Sequence, residues 1–353
     1  MGSLERLVSS LVASDVPLDR TELTRAAIEM QPDVAPLADD RAVRAAVDAL
    51  IGFGPLEALV DDDSVSDVLI NSFDEIWIER GGELEHSDIV FRSAEDLVTL
   101  VRRLITPLGL RIDTSSPAVD ARLQDGSRLH AIIPPAAVDG PVVAIRRFST
   151  AVADLEALVE RAAISDGGAR LLADSVTARD NILVAGATGA GKTTVLNALA
   201  ASISGTERIV TIEDAAELSI TGHVVRLEAR PANAEGAGEV TMRSLLRHAL
   251  RLRPDRIIVG EVRGPEALDM VQALSTGHAG SMSTIHANGS VEALDRLAML
   301  AAMAPERVPE SALARQIAAA VDVVVFVARN ESIRRVETIH RLSQEGFDEV
   351  YAC

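Results

Sequence analysis

The sequence predicts an α/β protein in which a C-terminal core with a largely parallel sheet follows a smaller α+β domain and an N-terminal helical extension. In the last 200 residues or so, short apolar, β-branched runs alternate with helical patterns, as expected where helices cover a parallel sheet. Before them come strand-like runs and tight turns, and the chain opens with helical patterns alone. A chain of 353 residues is also long for one domain. We place the boundaries at 1–51, 52–148 and 149–353.

Caps and turns justify the elements of the first two segments. The helical signals are a leucine stripe and capping aspartates, namely Leu4, Leu7 and Leu11 and then Asp19 and Asp39 or Asp40. The segment Gly52-Phe-Gly-Pro55 breaks the last helix. In the α+β domain we expect a helix capped by Ser93 and strands over 65–70, 75–79, 118–123, 129–133 and 142–147. Turns are expected at 79–83 and at Asp125-Gly126.

The core begins after a small, polar linker at 149–153. Helices are predicted over 155–163 and 169–176. The predicted strands are 182–185, 208–212, 224–227, 256–259, 280–285, 321–327 and 333–339.

A glycine-rich loop follows the first core strand and matches G-x-x-x-x-G-K-[ST] over residues 186–193. Val195, Leu196 and Leu199 then recur at helical spacing, so the motif stands between a strand and a helix, as a phosphate-binding loop requires. Glycines let successive backbone N–H groups point at a phosphate, and the helix N-terminus adds partial positive charge. The predicted nucleotide-binding residues are Gly186, Ala187, Thr188, Gly189, Ala190, Gly191, Lys192, Thr193 and Thr194.

Lys192 is the only lysine of the chain, and it stands where a compact ammonium fits among phosphates better than a planar guanidinium. It would reach the β- and γ-phosphates, while the Thr193 hydroxyl would bind Mg²⁺. The guanine motif N-K-x-D needs a second lysine, so ATP is favoured over GTP.

Two glutamates end predicted strands of the core. Glu213 follows Thr211-Ile212, and Glu261 follows Ile257-Ile-Val-Gly. Strand carboxyl ends border the ligand crevice in open α/β sheets, so both should lie beside the γ-phosphate and Mg²⁺. One would hold the waters of the metal and the other would orient or deprotonate the attacking water. Asp214 and Glu217, which are close by, could instead cap helices.

His278 and His286 flank the predicted strand 280–285. A zinc pair is conceivable, but no cysteine or suitably spaced carboxylate completes such a site. A neutral histidine within hydrogen-bonding reach of phosphate or catalytic water is favoured over that pair. Turn-forming or helix-capping roles are the alternative for each.

Arginines supply every other cationic side chain. Arg243, Arg247 and Arg251 lie four residues apart and could face nucleic acid, a second subunit or solvent; the net charge of −19 favours the subunit. In the α+β domain, basic side chains lie on or beside strands, namely Arg122, Arg128, Arg146 and Arg147. Many phosphate-loop ATPases complete their site with an arginine from another domain or subunit.

Composition excludes several classes of protein. The charge of −19 disfavours a general nucleic-acid surface and attraction to anionic lipid. Cys353 is the only cysteine, which excludes an internal disulfide or a cysteine-ligated metal cluster and fits a reducing compartment. The first residues do not have the pattern of a signal peptide, and no apolar run is long enough to span a bilayer.

Taken together, these motifs resemble those of the type II/IV secretion ATPase superfamily, with the nearest resemblance to Tad-pilus (CpaF-type) assembly ATPases. The resemblance extends from residue 52 to the end through GFGPLEAL, VDARLQDGSRLHAIIPP, GATGAGKTT, TIEDAAEL, RPDRIIVGEVRG, EALDM and TGHAGSMSTIHAN. It implies a RecA-like core with Glu213 as the catalytic carboxylate, Glu261 in an atypical Walker B motif, and His278 and His286 in a histidine box. It also implies an N-terminal domain that swings against the core and offers arginines across the nucleotide, for which Arg128 and Arg146 are the candidates.

The function implied is a Mg²⁺-dependent ATPase motor. The resemblance implies a cytoplasmic homo-hexamer held at the inner membrane by an inner-membrane platform protein, through which it would move pilin indirectly. Nucleic acid is not an expected partner. Two alternatives stay open: a nucleic-acid translocase on the same core, and a scaffold that binds nucleotide without turnover or acts as a GTP switch.

Overall fold

The computed structural model describes residues 3–14, 16, 20–36, 38–123, 125–147, 154–230, 232, 237–330, 333–343 and 346–353. The predicted cap at Asp19 and the predicted linker at 149–153 lie outside these residues. The chain divides into two compact units, Met1–Ser149 and Thr150–Cys353.

Three helices open the first unit: α1 (Ser3–Val12), α2 (Arg20–Val34) and α3 (Asp40–Ile51). They pack around their own apolar cluster, which includes Leu7, Leu23 and Val47. The side chain of Asp39 accepts a hydrogen bond from the N–H of Ala42, so the predicted cap of α3 is confirmed.

The rest of this unit is a six-stranded antiparallel sheet covered by helices. Its strands are β1 (Val65–Ser72), β2 (Glu75–Arg80), β3 (Glu83–Ser87), β4 (Ala118–Arg122), β5 (Arg128–Ile132) and β6 (Val142–Arg146), in the order β3-β2-β1-β6-β5-β4. Its helices are α4 (Glu57–Val60) and α5 (Ala94–Ile105). Ser93 caps α5 as predicted, and Leu97, Leu100 and Val101 bury the apolar face of this helix against the sheet cluster. The sequence did not predict β3 as a strand, because four of its five residues are exposed.

The second unit contains an eight-stranded sheet. Its strands are β7 (Ile182–Gly186), β8 (Ile209–Glu213), β9 (Val224–Glu228), β10 (Arg256–Val262), β11 (Met282–His286), β12 (Val323–Asn330), β13 (Ile333–Leu342) and β14 (Phe347–Ala352). The order is β14-β13-β12-β7-β11-β10-β8-β9, and all neighbours from β12 to β9 run parallel. At the other edge, β13 and β14 pair antiparallel.

Helices cover both faces of this sheet: α6 (Leu155–Glu160), α7 (Asp166–Thr177), α8 (Lys192–Ala201), α9 (Met242–Ala249), α10 (Glu266–Ser275), α11 (Ser290–Ala302) and α12 (Glu310–Ala320). The alternation along β7 divides the core, because Ile182 and Val184 join the cluster of α6–α8 while Leu183 and Ala185 join that of α9–α12. The predicted parallel α/β core is confirmed. The antiparallel edge is an addition, since the sequence did not predict β14.

Candidate active site

The glycine loop leaves the carboxyl end of β7, a strand that is buried along its whole length. Gly186 is in register with His286 of β11 on one side and Val327 of β12 on the other. A Cβ at Gly186 would lie 2.3 Å from the Val327 carbonyl oxygen, so only glycine fits there. Gly189 and Gly191 have φ angles of +72° and +99°, which glycine adopts without strain. These glycines therefore allow the backbone to form a tight loop, which ends at the N-terminus of α8.

Lys192 begins α8, and its side chain turns back toward the end of the sheet. The ammonium donates hydrogen bonds to the carbonyl oxygens of Gly186 and Ala187, each at 3.0 Å, and lies 3.6 Å from Glu261 Oε1. Only 9% of the side chain is exposed, and this burial lowers the pKa of the ammonium. The structure thus brings together the predicted phosphate-binding lysine and one of the two predicted strand-end glutamates.

Glu213, the last residue of β8, is 2% exposed. Its Oε1 accepts hydrogen bonds from the backbone N–H groups of Glu217 and Leu218, both at 2.7 Å. Its Oε2 is buried and has no hydrogen-bond partner among the described residues. Burial raises the pKa of the carboxyl to about 7. Glu213 is therefore a fixed carboxylate that can take up a proton near neutral pH.

A glycine on the neighbouring strand makes room for Glu213. A Cβ at Gly260 would lie 2.9 Å from Glu213 Cγ. The carbonyl of Gly260 in turn accepts a hydrogen bond from the Thr284 hydroxyl of β11, at 2.7 Å. In the sequence, the only sign of this requirement is that a glycine stands between an apolar run and Glu261.

Arg263 is a site residue that the sequence did not predict. Its Nε donates to Glu261 Oε2 at 2.7 Å, and its Nη1 lies 3.6 Å from Asp214 Oδ2. The guanidinium therefore connects carboxylates at the ends of β10 and β8. Asp214 contacts this arginine, and the structure gives it no capping bond among the described residues.

The two histidines lie toward opposite ends of β11, a strand in the interior of the sheet. His286 ends β11 beside the loop, and its Nε2 is 2.8 Å from the Thr188 hydroxyl. His278 precedes β11, and its Nδ1 lies 3.2 Å from the carbonyl oxygen of Ala273 in α10. Because β11 runs parallel to β7 with Met282 opposite Ile182, His278 is separated from the loop by a strand about 13 Å long. The structure brings His286 to the phosphate loop of its own chain, and His278 is not brought there.

The arginines of α9 make ion pairs within the fold. Arg243 and Arg247 both contact Asp269, at 2.5 and 3.1 Å, and Glu306, at 2.7 and 3.4 Å. Both charges are matched by carboxylates inside the chain, and the expectation that this basic face serves a second subunit stays a prediction.

Three of the four predicted arginines of the first unit form a row across its sheet. Arg128 is in register with Arg122 on one side and Arg146 on the other. Arg146 is opposite Asp67 and donates from Nε to Asp67 Oδ1 at 3.0 Å. Side chains directly opposite each other point to the same face, so the three arginines share one face of the sheet with Asp67.

Oxygen ligands suited to Mg²⁺ border the loop. Thr193 lies in the first turn of α8, and Glu261 is held within 3.6 Å of Lys192. Mg²⁺ is usually bound by one or two protein oxygens together with substrate phosphates and water, so a hydroxyl and a carboxylate fit it. Within the described ranges, no group of three or more His, Cys, Asp or Glu side chains could hold a metal ion by itself.

The fold and this loop define a RecA-like P-loop protein with an additional N-terminal domain. Residues 49–343 match the sequence model of the family described as Type II/IV secretion system protein, and the chain belongs to that family. The predicted superfamily is confirmed, whereas the closer resemblance to Tad-pilus ATPases stays a prediction.

Curated relatives cover most of the chain. It is 45% identical to a putative conjugal transfer protein of Mycobacterium tuberculosis over 81% of this chain and 83% of the relative. It is 33% identical to the conjugal transfer protein TrbB of Rhizobium radiobacter, over 80% of this chain and 85% of the relative. It is 30% identical to the type IV secretion system protein VirB11 of Brucella suis, over 82% of this chain and 88% of the relative.

Solved structures share the fold. The Legionella pneumophila ATPase DotB matches with a TM-score of 0.57 at 20% identity, over 81% of this chain and 79% of that one. The pilus retraction motor PilT with bound ADP matches with a TM-score of 0.52 at 18% identity, over 81% and 77%. None of the helices in the described ranges combines the length and apolar character needed to span a membrane.

Proposed function

We propose that this protein is a Mg²⁺-dependent ATPase that drives a type II/IV secretion or pilus-assembly system. The observation that carries the proposal is the glycine loop, where Lys192 lies 3.6 Å from Glu261. The chain's family and the names of its relatives support a role in secretion or conjugal transfer.

In this proposal, the loop and the start of α8 bind the triphosphate. The backbone N–H groups of residues 186–194 would donate to phosphate oxygens, as the helix N-terminus favours negative charge. The Lys192 ammonium would exchange its contacts with the carbonyls of Gly186 and Ala187 for the β- and γ-phosphates. Because the ammonium is buried, its attraction to phosphate is weakened little by solvent.

Thr193 and Glu261 would hold Mg²⁺, Thr193 through its hydroxyl and Glu261 partly through water. Bound Mg²⁺ would neutralise phosphate charge and help to orient the γ-phosphate. Arg263 contacts the same carboxylate, so it fixes the direction in which Glu261 points.

Glu213 would be the general base. Its Oε1 is held by two N–H groups, which leaves Oε2 to accept the proton of the attacking water. A base works best when its pKa is close to the ambient pH, and burial has moved the pKa of this carboxyl to about 7. The electrons of the water O–H bond then form the new bond to phosphorus, and the bond to the ADP oxygen breaks.

The remaining predicted residues are assigned to sensing and assembly. His286, through Thr188, would report on the γ-phosphate. We propose that His278, Arg128 and Arg146 act between the subunits of a homo-hexamer, where the arginines would stabilise charge on the transferred phosphoryl group. The moving parts would be an extension at 1–51, a domain at 52–148 and the core at 149–353. Their motion would be passed, at the cytoplasmic face of the inner membrane, to a platform protein that moves pilin.

Turnover and binding of ATP test this function. Lys192→Ala should abolish both, because the charge that holds the phosphate tail is lost. Glu213→Gln should keep ATP binding and lower turnover by about 10²-fold or more, as expected for loss of a general base. Glu310→Gln, at an exposed position in α12, is the matched control and should leave both unchanged. Wild-type protein without turnover would exclude the motor, and full turnover in Glu213→Gln would exclude the base.

The dependence of activity on protein concentration tests the assembly. Specific activity that rises with concentration, in step with the formation of a hexamer by sizing, is the expected result. Constant activity from monomer to ring would show that no site residue comes from a neighbouring subunit.

A nucleic-acid translocase is the second candidate, because two relatives are named as conjugal transfer proteins. It would require ATP turnover that DNA stimulates with a strong dependence on salt. The net charge of −19 predicts no such stimulation.

A further inference from the structure

The hairpin formed by β12 and β13 extends beyond the end of the phosphate-loop strand. Val327 of β12 is opposite Gly186, the last residue of β7, and β12 continues to Asn330. Three more residues of strand add about 10 Å. Since β12 neighbours β7 on the side away from β11, the hairpin borders one side of the loop and His286 borders the other.

Two arginines of this hairpin lie against the loop. Arg329 of β12 and Arg334 of β13 are register partners. A Cβ added to Gly189 would lie 3.7 Å from Arg329 Nη1, and one added to Gly191 would lie 3.7 Å from Arg334 Cδ. Both side chains therefore reach the two glycines whose left-handed backbone shapes the loop.

The chemistry of these side chains suits a polyphosphate. A guanidinium is always charged at physiological pH and can donate two parallel hydrogen bonds to phosphate oxygens. Arg329 is half-buried and Arg334 is exposed, so the charge of Arg329 is partly shielded from solvent. The Lys192 ammonium contacts the loop at the carbonyls of Gly186 and Ala187, whereas these arginines lie against Gly189 and Gly191.

We propose that Arg329 and Arg334 bind the phosphate chain of the nucleotide in the same subunit, from the side of the loop opposite His286. This inference rests on the proposed ATP-binding function. It adds cationic contacts from within the core, which need neither the N-terminal domain nor a second subunit. Because the contact is to phosphate, it should strengthen binding of ATP, ADP and inorganic tripolyphosphate alike.

Calorimetric titration with ATP, ADP and tripolyphosphate, each with Mg²⁺, tests the inference on the full chain. Arg329→Gln and Arg334→Gln should each raise the Kd for all three ligands about tenfold, the effect of losing one charge-assisted contact. Arg334→Lys should recover part of the loss, because it restores the charge without the planar fork. Arg315→Gln removes an exposed arginine from α12 and should change no Kd by more than about twofold.

Hydrogen exchange of the loop in nucleotide-free protein separates binding from a structural role. The expected result is equal exchange over residues 186–194 in wild type and both variants. Faster exchange in the variants, with affinity lost in proportion, would overturn the inference, because the arginines would then act only by shaping the loop. If Arg329→Gln does not fold, Arg334→Gln carries the test alone, since its side chain is exposed.

The remaining outcomes are also decisive. Unchanged affinities in both variants, or a loss for ATP without a loss for tripolyphosphate, would overturn the inference while leaving ATP binding by the protein intact. Wild-type protein that binds none of the three ligands would refute the proposed function and this inference with it.

Discussion

Replacing Glu213 with glutamine should change how the stability of the second unit depends on pH. The wild-type carboxyl is 2% exposed, and burial raises its pKa from 4.5 to about 7. Between these values the folded protein keeps the proton while the unfolded chain has released it. The folded state therefore binds more protons, and stability falls as the pH rises through this range. Above about pH 7 the carboxyl is ionised in both states, and the full destabilisation that comes from burying its charge is present.

The size of the effect follows from the shift in pKa. A change from 4.5 to about 7 corresponds to about 3 kcal/mol, of which about 2.5 kcal/mol accumulates between about pH 5 and pH 8. Glutamine has no proton to release. Its amide nitrogen, placed where Oε2 has no partner among the described residues, adds a cost of about 1–3 kcal/mol that does not depend on pH. The difference in stability between variant and wild type should thus rise with pH, whatever its absolute value.

Urea unfolding followed by far-UV circular dichroism, without nucleotide, measures this difference. Both proteins are compared at about pH 5 and about pH 8, in low salt and again in about 0.5 M salt. Because desolvation is the largest cause of the shift, the effect should survive high salt. A difference that stays constant with pH would refute the assignment of Glu213 as a buried carboxyl that titrates near neutrality.

Substitutions at three positions test the contacts that support the core. Gly186→Ala should lower stability by about 1–3 kcal/mol, because the added Cβ meets the Val327 carbonyl at 2.3 Å; an unchanged melting temperature would contradict the close approach. Arg256→Ala should lower the free energy of unfolding in urea by about 3 kcal/mol, because it removes a guanidinium that is 2% exposed and pairs with Glu207. A decrease of less than about 1 kcal/mol would argue against the buried pair. Thr241→Ala removes the cap of α9 and should cost about 1 kcal/mol, which Thr241→Ser should largely restore in the same assay.

Local signals in the sequence were sufficient for most of the fold. Asp39 or Asp40, and Ser93, were predicted as caps because a side-chain acceptor stood before a helical pattern, and Asp39 and Ser93 make the expected bonds. The buried strands of the core were visible as apolar runs. β3 and β14 were missed because most residues of each strand are exposed, so their pairing depends on neighbouring strands and not on their own pattern.

The parts of the candidate site that lie close together in sequence were predicted well. The parts that strand order brings together were predicted less well. The loop residues and Lys192 follow from one motif. His278 and His286 lie only eight positions apart, yet a whole strand separates them, so they lie toward opposite ends of β11. Arg263 and Arg334 were not predicted, because their place near the loop depends on side-chain direction and strand order, which no local pattern reveals.

Because Lys192 is the only lysine and is buried, proteolysis at this residue can report local opening of the phosphate loop. Since no other lysine exists, a lysine-specific endoprotease has a single peptide bond to cut, and that bond lies in the first turn of α8. Cleavage there requires the loop and the start of the helix to unfold locally. The rate at which two fragments accumulate would therefore measure opening of this one segment, and any ligand that closes the segment would slow the cut.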